Sequence, residues 1–409
     1  MTYSYRLYGS IDQVPLADWK VASQEGSHGF VDPAFLRAVE KGSAEEARIL
    51  HVLIDQDGEP VACASLCLYQ VDLLMLASPR IRDKVGWVQK VAPRLGNVTI
   101  LMCGLPFSAG QSNLTFASGA DRVRVVEVLD TLMRQLARQH GARLVVLKEF
   151  GADDREYLAP LTRRGYCSAD SAPSYAMSRT FPDLAAYCEA LKSHYRSGIR
   201  KSLEKFERAG CRVVHLEDPD EIRRVYTPDV HRLYEKVVGK AELKLEVLSH
   251  RFFHELVEQL SGRATLTVAY RGERIIGFGW GVSTGPAFDG LFCGIDYDHN
   301  AECDTYFNVI YNSLDHAFRR GSERITVGQT ADAFKARLGC TGTPRYIYVR
   351  GTGPVLSWVL RRSVGFIFPS RPPLPPNDVF KVGREKARPA GRGSRDGGSR
   401  IRQVAQATG

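Results

Sequence analysis

Apolar residues recur along this chain at two spacings, and the alternation between the two predicts a mixed α/β protein. Spacings of three and four residues predict helices over 17–42, 123–140, 183–209, 221–238 and 246–260. Continuous or alternating apolar runs predict strands over 98–103, 143–147 and 212–215, and hairpins over 48–68 and 264–282. The region 288–338 combines both patterns as strand, polar loop, helix, strand and short helix.

The last elements of that region form the strongest candidate for a site. Asp304 is expected to cap a helix by accepting a hydrogen bond from a first-turn N–H, and Gly321 is expected to end it. The strand predicted over 323–327 is followed by Gln329 and Lys335. Because ligands gather at the carboxyl ends of strands in open α/β sheets, we expect any chemistry to take place here.

The two halves of the chain repeat one order of elements. The segments 48–65, 129–149 and 158–178 align in order with 264–281, 311–329 and 333–349. Three such pairs favour a duplicated α/β unit. Two ordinary α/β halves that share common glycine turns are the alternative.

Composition and length place the chain among two-domain, soluble globular proteins. Of its 409 residues, 44% are hydrophobic and 25% are charged. The first residues have no basic segment followed by an apolar core, so no signal peptide is expected. No apolar run is long enough to span a bilayer, and a cytoplasmic location is therefore expected.

The formal charge of +9 belongs mainly to the C-terminal end. Residues 380–409 contain eight Lys or Arg and two acidic residues, so the rest of the chain is near neutral. This distribution weakens a general argument for nucleic-acid binding. The stretch 369–409, Pro-rich and then Arg/Gly/Ser-rich, predicts a disordered tail that could add salt-sensitive affinity for a polyanion such as tRNA.

Cysteine and metal chemistry are weakly indicated. The nine cysteines are scattered without a CxxC pair, as is typical of free thiols in a reducing compartment. Cys293 is a conceivable nucleophile, but no histidine is placed by sequence to activate it. His250 and His254 are one helical turn apart, yet a third ligand is not evident, so no metal is expected.

The order of hairpin, strand, helix, strand and final hairpin resembles the GNAT acyltransferase fold. The basic helix HYRSGIRKSLEKFERAG (194–210) and the ending GQTADAFKARLG (328–339) are similar to the FemAB/CelD-like branch, whose members carry two tandem GNAT-like domains. The resemblance implies GNAT-like domains at 1–180 and 212–352, joined by a basic helical connector at 181–211. A short apolar segment at 353–368 and the tail at 369–409 would follow. It also implies transfer of an acyl or aminoacyl group to an amine.

One loop departs from the GNAT pattern. Enzymes of this superfamily that use acyl-CoA usually hold the pyrophosphate on a glycine-rich loop at a helix N-terminus. The equivalent DYDHNAECDT (296–305) has no glycine and four acidic residues, which makes it a poor anion cradle. Aminoacyl-tRNA-dependent Fem enzymes also lack the loop. The donor therefore stays open between acyl-CoA or a carrier thioester and aminoacyl-tRNA, with no tightly bound cofactor.

Four residues of the second half are candidate catalytic groups. Asp296 is the candidate base or amine-orienting group, Tyr306 an acid or pocket wall, and Gln329 a donor to a substrate carbonyl. The resemblance implies that Lys335 contacts a phosphate or carboxylate of a substrate. Each has a structural alternative. Asp296 would be a solvated turn carboxylate and Tyr306 a core residue. Gln329 would be a local cap and Lys335 a surface lysine.

Candidate substrate-binding residues come mainly from the first half. The loop GLPFSAGQSN (104–113) resembles a substrate-lining loop and offers Phe107, Ser108 and Gln111, unless it is a plain surface loop. Lys148 ends a predicted strand, where only one of Lys148 and Glu149 can face a common pocket. Arg200 lies on the basic helix, which receives phosphates or is simply a solvated face.

These observations predict an acyltransferase that forms an amide, with a small-molecule or peptide amine acceptor held between the two domains. A Fem-type aminoacyl-tRNA-dependent transferase, with tRNA on the basic helix and tail, is one alternative. A non-catalytic protein that binds an envelope precursor or a partner protein is the other. The pattern sets no oligomeric state.

Overall fold

Helices begin and end where the sequence supplies local capping groups. Asp121 and Ser249 each accept a hydrogen bond from a backbone N–H in the first turn. Gly141 and Gly321 take positive φ values of 64° and 73° just after a helix ends. The helices are α1 (Leu16–Ala22), α2 (Pro33–Gly42), α3 (Arg122–Gln139), α4 (Arg155–Arg163), α5 (Leu184–Ala190), α6 (Ser193–Arg208), α7 (Pro219–Val225), α8 (Pro228–Lys240), α9 (His250–Leu260), α10 (Tyr297–Cys303), α11 (Thr305–Arg319), α12 (Asp332–Arg337) and α13 (Pro354–Ile367).

The computed structural model describes residues 1–24, 28–72, 97–107, 110–240, 247–368, 370 and 372–381. The strands are β1 (Tyr3–Tyr8), β2 (Ala47–Gln56), β3 (Glu59–Asp72), β4 (Asn97–Cys103), β5 (Leu114–Phe116), β6 (Leu144–Phe150), β7 (Cys167–Met177), β8 (Cys211–Leu216), β9 (Ala264–Arg271), β10 (Arg274–Thr284), β11 (Ala287–Ile295), β12 (Arg324–Thr326) and β13 (Thr341–Gly351). All of them belong to one sheet with the order β1-β2-β3-β4-β6-β13-β7-β12-β11-β10-β9-β8, and β5 pairs with β3.

The two halves exchange their last strands at the centre of this sheet. Strand β13 of the second half pairs antiparallel with β6 of the first half, and Val349 lies opposite Val146. Strand β7 of the first half pairs antiparallel with β12 of the second half, and Ile325 lies opposite Met177. The mixed α/β fold with a duplicated unit is confirmed. The domain boundaries stay a prediction, because neither half completes its sheet without the other.

Alternating side chains on the strands build a core on each face of the sheet. Along β3, Cys63 and Cys67 enter one hydrophobic cluster, while Ala62, Ala64 and Leu66 enter another. The first cluster lies under α2 and α9, which come from different halves and pack closely. A Cβ on Gly42 would lie only 2.6 Å from the Cα of Phe252. The second cluster lies under α3 and α4.

Several local expectations need correction. The single helix expected over 221–238 is two helices, because Pro228 cannot continue the α7 hydrogen-bond ladder. The polar loop at 296–305 is largely helix α10. Asp304 does precede α11, but at a φ of 53° its carboxylate makes no cap and instead pairs with Lys205 at 2.6 Å. Strand β1 was not foreseen.

The folded body extends further than the expected tail boundary at 369. Val379 is fully buried, and its carbonyl accepts a hydrogen bond from the Lys192 N–H at 2.9 Å. Phe380 stacks on Phe181 with 5.8 Å between ring centroids. The expectation of disorder is therefore wrong for 372–381, whereas residues 382–409 lie outside the described part of the chain.

Candidate active site

Two parallel strands separate at the centre of the second half. Strands β11 and β12 pair only from Ala287 to Asp289, opposite Arg324 to Thr326. Beyond this point β11 continues to Ile295 beside β10, with a bulge, while the chain after β12 turns to pair Gly328 with Tyr175 of β7. The ladder between β11 and β12 therefore ends at Asp289 and Thr326, and we call the unpaired region between their carboxyl ends the strand gap.

Lys335 lies beside the strand gap on the short helix α12. Its side chain is only 3% exposed, and its Nζ lies 5.8 Å from the ring centroid of Tyr175. The same nitrogen is 3.6 Å from the position of a Cβ on Gly328, whose φ is 76°. Among the described residues, no carboxylate lies within salt-bridge distance of Nζ, and no acceptor bonds it. The structure thus holds a buried lysine without an anionic partner.

Burial decides the protonation of Lys335. Because desolvation penalises the ammonium form, it lowers the pKa of Lys335 to about 8, against the weaker opposing effects of Cys340, Asp332 and Cys293. The group is still mostly protonated at neutral pH. A cation in this setting attracts a developing negative charge much more strongly than it would in water.

Cys293 and Cys340 are the two thiols that interact electrostatically with Lys335. Burial raises the pKa of Cys293 to about 11 and that of Cys340 to about 12, although the Lys335 charge lowers both. Both thiols therefore stay protonated at neutral pH. Because the thiolate is the reactive form, Cys293 is poorly suited to act as a nucleophile.

Tyr306 lies on the same side of the sheet as Lys335. Its ring is 5.7 Å from that of Phe334, the residue before Lys335. Burial raises its pKa, and neighbouring Cys293 and Tyr297 raise it further, so the hydroxyl stays protonated. Tyr306 can donate a proton or line a pocket, as the sequence predicts, but it cannot act as a base at neutral pH.

Gln329 and the loop of the first half meet across β7. The Nε2 of Gln329 donates to the carbonyl of Ala172 at 2.7 Å. A Cβ on Gly110 would lie 3.4 Å from the Cγ of Gln329 and 2.7 Å from the Oγ of Ser174. Next in the loop, Gln111 is buried, and its Nε2 has no hydrogen-bond partner among the described residues. The loop therefore brings an unsatisfied amide donor to the junction of the two halves.

Comparison with known proteins assigns the fold. Residues 193–336 match the model of the acetyltransferase (GNAT) domain, which thus runs from the start of α6 to just past Lys335. A tandem GNAT protein from the clavulanic acid biosynthesis pathway is 12% identical, with a TM-score of 0.51 over 86% of this chain and 99% of that one. In its fold, this chain is a tandem GNAT protein.

Two further solved structures have the same fold. FemX is 10% identical, with a TM-score of 0.52 over 85% of this chain and 97% of its own. A conserved protein of unknown function from Bacteroides thetaiotaomicron is also 10% identical, with a TM-score of 0.50 over 85% and 99% of the two chains. A sequence comparison with curated proteins finds no match. At these identities the likeness concerns the fold alone.

Asp296 is poorly suited to the role of a general base. Burial by itself would raise its pKa, but the Asp298 N–H, His299, Lys236 and Arg274 together lower it. Its carboxylate caps α10 and lies 2.8 Å from Arg274. A carboxylate held ionised by these groups is a weak base, and it stabilises the turn instead.

The expected substrate-binding residues of the first half also need correction. Phe107 is a core residue, with its ring 5.7 Å from that of Phe252. Lys148 is buried, and its Nζ donates to the carbonyl of Phe107 at 2.7 Å. Arg200 is exposed and ion-paired with Glu189 at 2.6 Å. These three serve packing, a backbone hydrogen bond and a surface ion pair, while Ser108 lies outside the described residues.

Sequence reasoning missed a polar cluster where the two halves meet. The Nε of Arg345 is buried without a hydrogen-bond partner among the described residues. The pKa of His28 is lowered to about 4, mainly by burial and further by the positive charges of Arg324 and Arg345. Asp289 is fully buried and bonds the Thr326 hydroxyl at 2.8 Å. No sequence motif marked these residues, because distant segments supply them.

The described residues contain no group of three His, Cys, Asp or Glu arranged to hold a metal ion. The His250 and His254 rings are 4.5 Å apart, and the Nε2 of His250 is bonded to the Tyr226 carbonyl. Within the described ranges, no helix is long and apolar enough to cross a membrane.

Proposed function

We propose that this protein transfers an acyl group from an activated donor to an amine and so forms an amide. The observation that carries the proposal is Lys335, a buried cation without an anionic partner beside the strand gap. This lysine lies in the half that matches an acetyltransferase domain. A buried, unpaired charge costs stability, and such groups cluster where function requires them.

Aminolysis of a thioester passes through a tetrahedral intermediate whose oxygen carries negative charge. The Lys335 ammonium would stabilise that oxyanion if the donor carbonyl entered the strand gap. The amine nitrogen forms the new C–N bond, the C–S bond breaks, and the proton lost by the amine ends on the leaving thiolate. The protonated Tyr306 hydroxyl is the group suited to deliver a proton to that sulfur.

We propose that the amine acceptor, a small molecule or a peptide, is held where the halves meet. The Gln111 amide and the Arg345 guanidinium supply donors there that have no hydrogen-bond partner among the described residues. Buried donors of this kind favour a polar ligand, because satisfying them recovers a desolvation cost. Their position on the first-half loop and on β13 gives both halves a part in binding.

A Fem-type donor, aminoacyl-tRNA, is a second candidate, because the start of α11 is poorly suited to a pyrophosphate. Asp304 precedes the helix, and its carboxylate is 2.6 Å from Lys205. Negative charge at a helix N-terminus opposes binding of another anion. Acyl-CoA, the co-substrate of GNAT enzymes in general, would therefore need to be held elsewhere. A contribution of the basic C-terminal residues to tRNA binding belongs to this second candidate.

The experiment that tests the proposal offers both donors to the full chain. Acyl-CoAs and aminoacyl-tRNA are each incubated with a panel of primary amines, and thiol release or deacylation is measured together with amide formation by mass spectrometry. We expect amine-dependent amide formation with one donor class, and its loss in Lys335→Met. Absence of turnover with either class, or full turnover in the variant, would contradict the proposal.

A further inference from the structure

Helix α13 presents an outer apolar face that the described residues leave uncovered. Val355, Trp358 and Val359 are 75%, 55% and 40% exposed. Their spacing of three and four residues places them on one side of the helix. The opposite side is fixed to the sheet, since Leu360 is 6% exposed and the Ser357 hydroxyl donates to the Gly351 carbonyl at 2.9 Å. The helix is therefore held in place while its outer face stays apolar.

Arg362 shares this outer face, and Arg361 flanks it on the side nearer the sheet. Arg361 and Arg362 are both exposed, and the Arg362 guanidinium carbon lies 5.5 Å from the centroid of the Trp358 ring. The helix contains no acidic residue that could pair with either arginine. We call the set Val355, Trp358, Val359, Arg361 and Arg362 the α13 face. It combines a narrow apolar stripe with positive charge that pairs with no carboxylate in the described part of the chain.

We propose that the α13 face binds the surface of an anionic lipid membrane, with α13 lying parallel to the surface. Tryptophan settles at the boundary between headgroups and acyl chains, and arginine remains bonded to lipid phosphates while its stem stays in apolar surroundings. A surface helix with apolar and basic side chains on one side is suited to this environment. The residues 380–409 that follow add charge of the same sign to the chain.

Charge separates a lipid surface from a second copy of this chain as the occupant. In a two-fold contact each copy would present the same face, so the arginines of both copies would approach one another. Helix α13 supplies no carboxylate to neutralise them. An anionic bilayer supplies the missing negative charge and accepts the apolar stripe at the same time.

Vesicle sedimentation and Trp fluorescence of the full chain test the proposal. We expect the protein to sediment with vesicles of phosphatidylcholine mixed with phosphatidylglycerol, and much less with phosphatidylcholine alone. Binding should also shift Trp358 emission to the blue, and this shift should be absent in Trp358→Phe. Trp19 and Trp280 are each only 2% exposed and should contribute little to it. The fourth tryptophan, Trp87, lies outside the described residues and is changed to Phe in both proteins compared.

Two variants separate the apolar and the basic contributions. Val355→Ser with Trp358→Ser should weaken binding to anionic vesicles by roughly tenfold or more, because buried apolar area is lost. Arg361→Gln with Arg362→Gln should weaken it by roughly tenfold and reduce the dependence on anionic lipid. Leu16→Ser is the matched control, since Leu16 is 55% exposed on α1 and should not affect binding.

Three results would overturn the proposal. The first is failure of the wild-type chain to sediment with any vesicle. The second is equal binding by all variants, which would assign any lipid affinity to another part of the chain. The third is concentration-dependent self-association in gel filtration that Trp358→Ser abolishes while vesicle binding is unchanged, which would make a second copy the occupant. None of these results depends on acyl transfer.

Discussion

Each half of the molecule buries a lysine near the end of a central strand, but only one of the two lysines is satisfied. Lys148 donates to the carbonyl of Phe107 at 2.7 Å, and its stem packs against Gly104. Lys335 contacts the Tyr175 ring and has no hydrogen-bond acceptor among the described residues. The amine of the first half is therefore occupied by a backbone carbonyl, whereas the amine of the second half has no such acceptor among the described residues.

This difference shows how the two copies of a duplicated fold can take different roles, one structural and one available to a ligand. A buried amine that bonds a backbone carbonyl strengthens a loop and has little capacity left for a ligand. A buried amine without an acceptor weakens the fold and gains from any anion that reaches it. The second half therefore carries the better candidate for chemistry, and the first half positions the loop that reaches it.

Removing the Lys335 amine tests most directly whether the second half carries the chemistry. Lys335→Met keeps the length of the side chain and loses the charge, so turnover should fall by about 10²-fold or more, as when one preorganised oxyanion donor is removed. Steady-state kinetics with the active donor measure the effect. Turnover within threefold of wild type, roughly the change of an unrelated surface variant, would remove Lys335 from the site.

The same variant should be more stable than the wild type. Because the unfolded chain keeps the Lys335 proton up to about pH 10.5 and the folded chain loses it near pH 8, wild-type stability rises with pH between those values. Lys335→Met should therefore gain as much as about 3 kcal/mol at pH 7, and the gain should shrink above pH 8. Denaturant unfolding at several pH values measures it. A destabilised variant at pH 7 would mean that the lysine has a partner.

Lys148→Met is the matched change in the first half. It leaves the Phe107 carbonyl buried without its donor, so the free energy of unfolding should fall by about 1–3 kcal/mol. The kcat of the remaining folded protein should change little. A large loss of kcat with unchanged stability would reverse the assignment of roles to the two halves.

Asp296→Asn should have the smallest effect. Asparagine still caps α10, and the charge interactions with Arg274, Lys236 and His299 are weakened, which costs about 1 kcal/mol. The wild-type contribution is present above the unfolded pKa of 3.8 and disappears as pH falls through the lower folded value. The pH–rate profile should match that of the wild type, and a low rate with no acid limb would restore Asp296 as the base.

The sequence was sufficient for local structure and for the order of elements. Helices such as α3 and α9, their capping residues and the glycine ends follow from periodicity and from groups within a few residues. The repeat of hairpin, helix and strand was visible because it uses the same local signals twice. The short element α10 was missed because its polar residues resemble a loop, and Asp304 was misassigned because its partner, Lys205, lies 99 residues away.

For the candidate site, the sequence pointed to Lys335, Tyr306 and Gln329 from their places after the strands, and their roles stay a prediction. Only the tertiary structure decided which of them is satisfied, that β7 and β13 change places between the halves, and that α13 keeps an apolar face outside. The physical reason is the distance along the chain over which each interaction acts. Helical periodicity and caps act over a few neighbours, whereas burial, unpaired charge and strand exchange depend on contacts between segments far apart in the chain, such as Lys148 with Phe107 and Arg345 with the region around His28.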